Sequence, residues 1–181
     1  MNPWDELPHV WKTEAAYLSW LRGQLRRIWS RHPIKNEFIR RHRRSVDGRR
    51  HKWELQCKQC EGWFQAKHIE VDHISPAGSF RCIEDFRTFG YRLIHISMDE
   101  LQILCKRCHK VKTYAERMSL SLEESESQIE ANAMMRLPAG SLRALMLKHG
   151  ASNEDVKNHN ARKQWVMEFQ RKRQHGKQQK A

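Results

Sequence analysis

The chain has 181 residues, a formal net charge of +13, 30% charged and 39% hydrophobic residues, and a mean hydropathy of −0.87. That length allows one main domain with an appendage or two short domains, and the composition argues against a single large core. It excludes a bilayer-spanning segment, since no run of about 18 apolar residues occurs. The charge calls for a polyanion: each Lys or Arg set against a phosphate releases condensed counterions, and nucleic acid fits best.

The start, Met1 to Glu14, has neither the basic head nor the apolar centre of a secretory signal, so an intracellular, non-secreted protein is expected. Its thiols should then stay reduced, and the five cysteines read as metal ligands before disulfides. Residues 13–31 predict an amphipathic helix, with Thr13 as its cap and Leu18, Leu21, Leu25 and Ile28 at helical spacing. Arg22, Arg26 and Arg27 mostly occupy the other face, and His32-Pro33 ends the helix. A second helix over 35–44 would carry Phe38 and Ile39 to the core. From Arg22 to Lys52 there are twelve Lys/Arg and two acids, Glu37 and Asp47. Arg22, Arg26, Arg27, Arg40, Arg41, Arg43, Arg44, Arg49 and Arg50 are therefore candidate phosphate contacts.

Residues 46–50 have the composition of a turn. Short strands are expected at Trp53–Gln56, Trp63-Phe64 and Ile69–Val71. Residues 76–91, with Pro76, Gly78 and Gly90, read as irregular, and Arg92–Ile96 alternates weakly. A strand over Leu101–Leu104 runs into Cys105, and a helix follows from about Cys108 to Met118. Residues 119–137 form an acidic linker or helix. Ser141–His149 and Ala161–Lys172 read as helices, with Gly150 as a stop after the first. Residues 174–181 look disordered.

Cys57-Lys58-Gln59-Cys60 and Cys105-Lys106-Arg107-Cys108 are two C-x2-C pairs separated by 44 residues. Two intervening residues let both thiolates of a turn reach one tetrahedral ion, so two such turns predict a closed structural zinc site. Cys82 is left over. Between the pairs lies Glu70-Val71-Asp72-His73-Ile74, and after the second comes His109-Lys110-Val111-Lys112-Thr113. Neutral imidazole can take a proton from water near pH 7, and phosphodiester hydrolysis needs such a base together with a cation. Adjacent strand residues point to opposite sides, so Asp72 and His73 can share a site only where the strand twists or ends.

The order C-x2-C, then V-D-H-I, then L-x-x-L-C-x2-C-H-x2-K-T resembles the HNH endonucleases over roughly Cys57–Thr113. The resemblance implies an α+β fold with a ββα-metal, treble-clef-like core braced by zinc. Basic helices would flank the core on the N-terminal side and a small helical module on the C-terminal side. His73 would be the general base, and Asp72 and His109 would bind a catalytic Mg2+ or Mn2+. Cys57, Cys60, Cys105 and Cys108 would hold structural Zn2+. Lys110 and Lys112 would touch the DNA backbone. The family's central Asn stands where this chain has Glu100, whose carboxylate or backbone would have to orient the base. The expected parts are a basic helical region (1–50), the nuclease core (51–118), the acidic segment (119–137) and a weakly SAP-like helical module (138–173). Double-stranded DNA is the expected partner. The layout resembles phage-encoded free-standing HNH endonucleases, some of them homing enzymes, which would place the protein in a bacterial host's cytoplasm. The rival expectations are a non-catalytic zinc-finger DNA-binding protein and an RNA-binding or RNA-cleaving protein.

Overall fold

The structure is a computed structural model that describes residues 2–47 and 51–178, without the side chains of 174–178. Arg49 and Arg50, two of the candidate phosphate contacts, lie outside the described residues, as do residues 179–181. The chain forms two compact units, residues 1–109 and 110–181. The first therefore joins the basic N-terminal region to the cysteine-rich core, where composition had suggested separate parts.

In the first unit, a short helix α1 (Pro3–Glu6) precedes α2 (Glu14–Ser30). Thr13 caps α2 as its sequence predicts, its side chain accepting the N–H of Ala16 at 3.2 Å. The residue before a proline is pushed out of the helical region, so His32-Pro33 ends α2, and Pro33 opens α3 (Pro33–His42). Strands β1 (Arg43–Ser45), β2 (Trp53–Gln56) and β3 (Trp63–Gln65) form an antiparallel sheet in the order β1-β2-β3, with Leu55 facing Arg43 on one side and Phe64 on the other. β1 was not anticipated; three exposed polar residues carry no alternating pattern.

A second, two-stranded antiparallel sheet pairs β4 (Ile69–His73) with β5 (Leu101–Cys105), with Asp72 opposite Gln102 and His73 opposite Leu101. Helix α5 (Lys106–Met118) begins directly after β5. β4 alternates: Ile69, Val71 and His73 are buried, Glu70 and Asp72 only partly. The buried residues Phe38, Leu55, Ile69, Val71, Leu101 and Ile103 make one core, to which Trp29 and Phe64 add.

Residues 85–94 are helical (α4, Asp85–Ile94), a correction to the irregular segment expected over 76–91. The Asp85 carboxylate accepts the backbone N–H groups of Arg81 (2.7 Å) and Cys82 (3.3 Å), closing the preceding turn. Packing does not require glycine at position 90, since a Cβ there would meet nothing within 4 Å. Phe89 and Leu93, four apart on one face, pack with Leu18, Leu25 and Phe80 into a second core against α2.

The second unit contains the rest of α5, then α6 (Leu122–Met135), α7 (Ala139–Lys148), α8 (Asn153–Val156) and α9 (His159–Gln178). Capping boxes start α6 at Ser121 with Glu124 and α8 at Ser152 with Asp155. The acidic segment is thus a helix. Gly150, at φ +88°, ends α7 in the left-handed conformation that its sequence suggested. α9 continues through 174–178, where composition suggested disorder, since helical residues precede that stretch and no proline interrupts it. Ala131, Leu142, Met146, Ala151, Val156 and Val166 form the core. The seam between α6 and α9 is partly polar: Ser125 and Gln170 are buried, and Gln170 Nε2 donates to Met134 Sδ at 2.8 Å. No described helix is long and apolar enough to cross a membrane.

Leu55 is 1% exposed at the centre of the first unit's core. Leu55→Ala should lower the unfolding free energy by about 2–5 kcal/mol, read by chemical denaturation, through lost burial and the cavity left behind.

Candidate functional site

The four cysteines come together. Their sulfurs lie within 4.8 Å of one another, and Cys60 Sγ is 4.0 Å from Cys105 Sγ. The first pair sits on the turn between β2 and β3. There Glu61 takes a left-handed φ of 56° and its N–H returns to Cys57 O at 2.9 Å. Gly62 is required beside it, because a Cβ would stand 2.8 Å from the Phe64 ring. The second pair straddles the β5–α5 junction, where Cys108 N–H points to Cys105 Sγ at 3.4 Å. Lys58 N–H donates to Ile103 O at 2.8 Å, tying the two pairs by backbone.

Four clustered sulfurs fit a soft cation. Burial pushes the Cys57 thiol up, but backbone N–H groups of Cys60, Cys105 and Gln59 outweigh it and bring it to about 7. Burial holds Cys60 and Cys108 above the ordinary thiol range. Shared negative charge in so small a space needs a positive centre, and the quartet could hold a metal such as zinc. Among the described residues it is the one cluster of three or more His, Cys, Asp or Glu able to do so. Cys82 stands apart from it, as its sequence position suggested.

The fold brings Asp72 and His109 to each other. His109 Nε2 lies 3.5 Å from Asp72 Oδ1, and Gln102 Nε2 donates to Asp72 Oδ2 at 3.0 Å from the paired strand. His109 occupies the first turn of α5, one residue after Cys108, so the cysteine turn sets where its ring points. A carboxylate and an imidazole so placed on the partly exposed face of the β4–β5 sheet are side chains of the kinds that ligate metal ions.

His73 faces the other way. It is 8% exposed, its ring centroid 4.4 Å from that of Trp29 on α2, and its Nε2 lies 3.1 Å from Leu93 O. A carbonyl only accepts, so Nε2 carries the hydrogen and the neutral ring has its lone pair on Nδ1. The ring also lines a cleft of about 520 Å3 with Ser75, Tyr91, Arg92, His95 and Glu100. His95 stacks on Tyr91 at 4.4 Å between ring centroids. Arg92 and Tyr91 in this cleft were missed from sequence, because α4 itself was missed.

Glu100 acts through its backbone and its cap. Its carbonyl accepts Ile74 N–H at 2.8 Å, directly after His73. Its carboxylate accepts both the N–H and the hydroxyl of Ser97 at 2.8 Å, and these bonds hold it below the usual carboxylate range. The nearby His73 imidazole lowers the Glu100 carboxyl further, a smaller effect than the Ser97 bonds.

The basic candidates divide by environment. Arg22 is half-buried and donates to Phe80 O at 3.2 Å. Arg40 and Arg41 share Glu37, whose carboxyl is lowered to about 2, chiefly by hydrogen bonds from Arg40 and then Arg41. Arg26 and Arg27 are exposed. Arg43 lies over the Trp53 ring at 4.1 Å and Arg44 over Trp63 at 3.8 Å. Arg44 also pairs at 2.8 Å with Glu54, a buried carboxylate that sequence reasoning missed. His51 Nε2 meets the other Glu54 oxygen at 2.9 Å, while Gln65 Nε2 lies 2.9 Å from His51 Nδ1. Lys110 is exposed on α5, and Lys112 pairs with Glu116.

Two outcomes follow. The purified chain should carry one zinc per molecule by elemental analysis, and Cys105→Ser should lose it and melt at a lower temperature, since metal binding of this type is worth on the order of 10 kcal/mol. Glu100→Gln should destabilise the protein at neutral pH but make little difference in acid. A carboxylate with a depressed folded pKa stabilises above its unfolded pKa and loses that effect as pH falls through the folded value, so the two melting curves should converge at low pH. Set against protein-family models, curated proteins and solved structures, the chain gives no match, and its function is read from its own geometry.

Proposed function

We propose that the chain is an HNH-type endonuclease that hydrolyses DNA phosphodiester bonds with one divalent ion. The observation that carries this reading is the Asp72 carboxylate set 3.5 Å from the His109 imidazole at the start of a helix anchored by a cysteine turn. The strand–strand–helix run of β4, β5 and α5 supports it, as does the surplus of positive charge. Asp72 and His109 would hold Mg2+ or Mn2+, which would neutralise charge on the transferred phosphate and the leaving oxygen. Gln102 fixes the Asp72 carboxylate against rotation. His73, its tautomer set by Leu93 O, would take a proton from the attacking water at Nδ1. Glu100 would help orient the base through its backbone, its carbonyl accepting Ile74 N–H directly after His73. Cleavage would leave 5′-phosphate and 3′-hydroxyl ends. Exposed arginines such as Arg26 and Arg27 would contact phosphates and so position the duplex without reading sequence. On the same resemblance, the chain would be a phage-encoded, free-standing enzyme acting in a bacterial host.

A second reading has an observation of its own. His73 is packed under Trp29 and almost fully buried, which suits a zinc-braced DNA-binding protein without chemistry. Supercoiled-plasmid nicking separates the two. Wild type with Mg2+ or Mn2+ should produce open circles. Asp72→Asn and His73→Gln should each slow nicking by roughly 10^2-fold or more, the usual contribution of a catalytic acid or base. If wild type retards DNA but cuts with no metal, the binding reading replaces the enzyme.

A further inference from the structure

A cavity of about 690 Å3 opens beside the first cysteine turn, with Phe38, His42, Trp63, Ile74, Met98 and Gln102 among its walls. It is well within the roughly 300–1,000 Å3 that ligand pockets span. We propose that it takes one unpaired base of single-stranded DNA, stacked on Trp63. The proposal rests on the nucleic-acid reading above and deepens it: the substrate would carry an unstacked nucleotide beside the bond to be cut.

Trp63 is a large ring left 37% exposed beside the cavity, with the Arg44 guanidinium 3.8 Å from its centroid. Flat π surface backed by a cation is what an unpaired base stacks on, and every base offers such a face. A stacked duplex offers only its groove edges and phosphates, and groove reading takes a projecting helix or ribbon rather than a hollow. The wall chemistry divides in the same way. Phe38, Ile74, Met98, Leu101 and Ile103 give an apolar interior, and Glu61 and Asp99 turn phosphate away from it. Lys58 and Arg44 supply positive charge for the strand's backbone. Gln102 joins the cavity to the proposed metal ligands, for its amide also donates to Asp72 at 3.0 Å.

Trp53 provides an internal control. It too is exposed and lies under an arginine, Arg43. Its register opposite Ser45, against Trp63 opposite Gln56, sets it on the other face of the same sheet. The test is fluorescence anisotropy of the full chain without added Mg2+ or Mn2+. One labelled oligonucleotide sequence is presented as single-stranded DNA, as duplex and as RNA, with 2-aminopurine at one position.

Single-stranded DNA should bind more tightly than the duplex or the RNA. Trp63→Ala should weaken it by roughly five- to fifty-fold and abolish the quenching of 2-aminopurine, while Trp63→Phe keeps most of both. Trp53→Ala should leave both unchanged, and melting curves of the variants show whether each is folded. Preference for duplex or RNA, or equal losses at Trp53 and Trp63, overturns the proposal. Plasmid nicking by a protein with no single-strand preference would remove the base pocket and leave the nuclease reading intact. Trp63-dependent single-strand binding without cutting under any metal would do the reverse.

Discussion

Four thiols held within 4.8 Å of one another cannot all be charged without a cation between them, and the turns that bring them together organise the first unit. The cysteine turns belong to two different sheets, one at the end of β2 and the other at the end of β5, so an ion held by all four joins both. Leu104 and Phe64 pack around them as a small apolar shell. With 39% hydrophobic residues and three modest cores, the chain has little else to bind its layers together. A structural ion concentrates cohesion in one place and leaves much of the surface free to be basic.

The same cluster sets the geometry of the Asp72–His109 pair. Helix α5 starts between two of these cysteines, and His109 follows the last of them. Asp72 is fixed independently, by strand pairing and by Gln102. The two side chains therefore meet because two rigid elements end at the same point. His73, one residue from Asp72, is carried by strand alternation into the core and is positioned by Trp29 and Leu93 instead.

Much of this was legible in the sequence, for local reasons. Thr13, the His32-Pro33 break and Gly150 act on their nearest neighbours, and each marks the boundary it suggested. The cysteine spacing was legible because a turn of fixed length can present its sulfurs in only a few ways. What stayed hidden depends on distant partners. α4 lacks a side-chain cap of its own and contains Gly90, and it is stabilised by α2, about sixty residues earlier. Glu54 reads as a solvated strand residue until Arg44 and His51 are seen to enclose it. The burial of His73 depends on Trp29, a pairing no spacing rule connects. Arg22 looked like a surface cation because its partner, the carbonyl of Phe80, has no sequence signature.

The contact between Trp29 and His73 bears on how such a protein can change over generations. The basic N-terminal helices and the cysteine-braced core differ in composition as two interchangeable parts would. Yet one wall around the core's histidine is supplied by the helix that carries Arg22, Arg26 and Arg27. Recombination that exchanged this head for another would bring a new set of cations and, in the same step, strip the imidazole of its neighbour. A replacement head would keep the imidazole packed only if it set an aromatic ring where Trp29 stands.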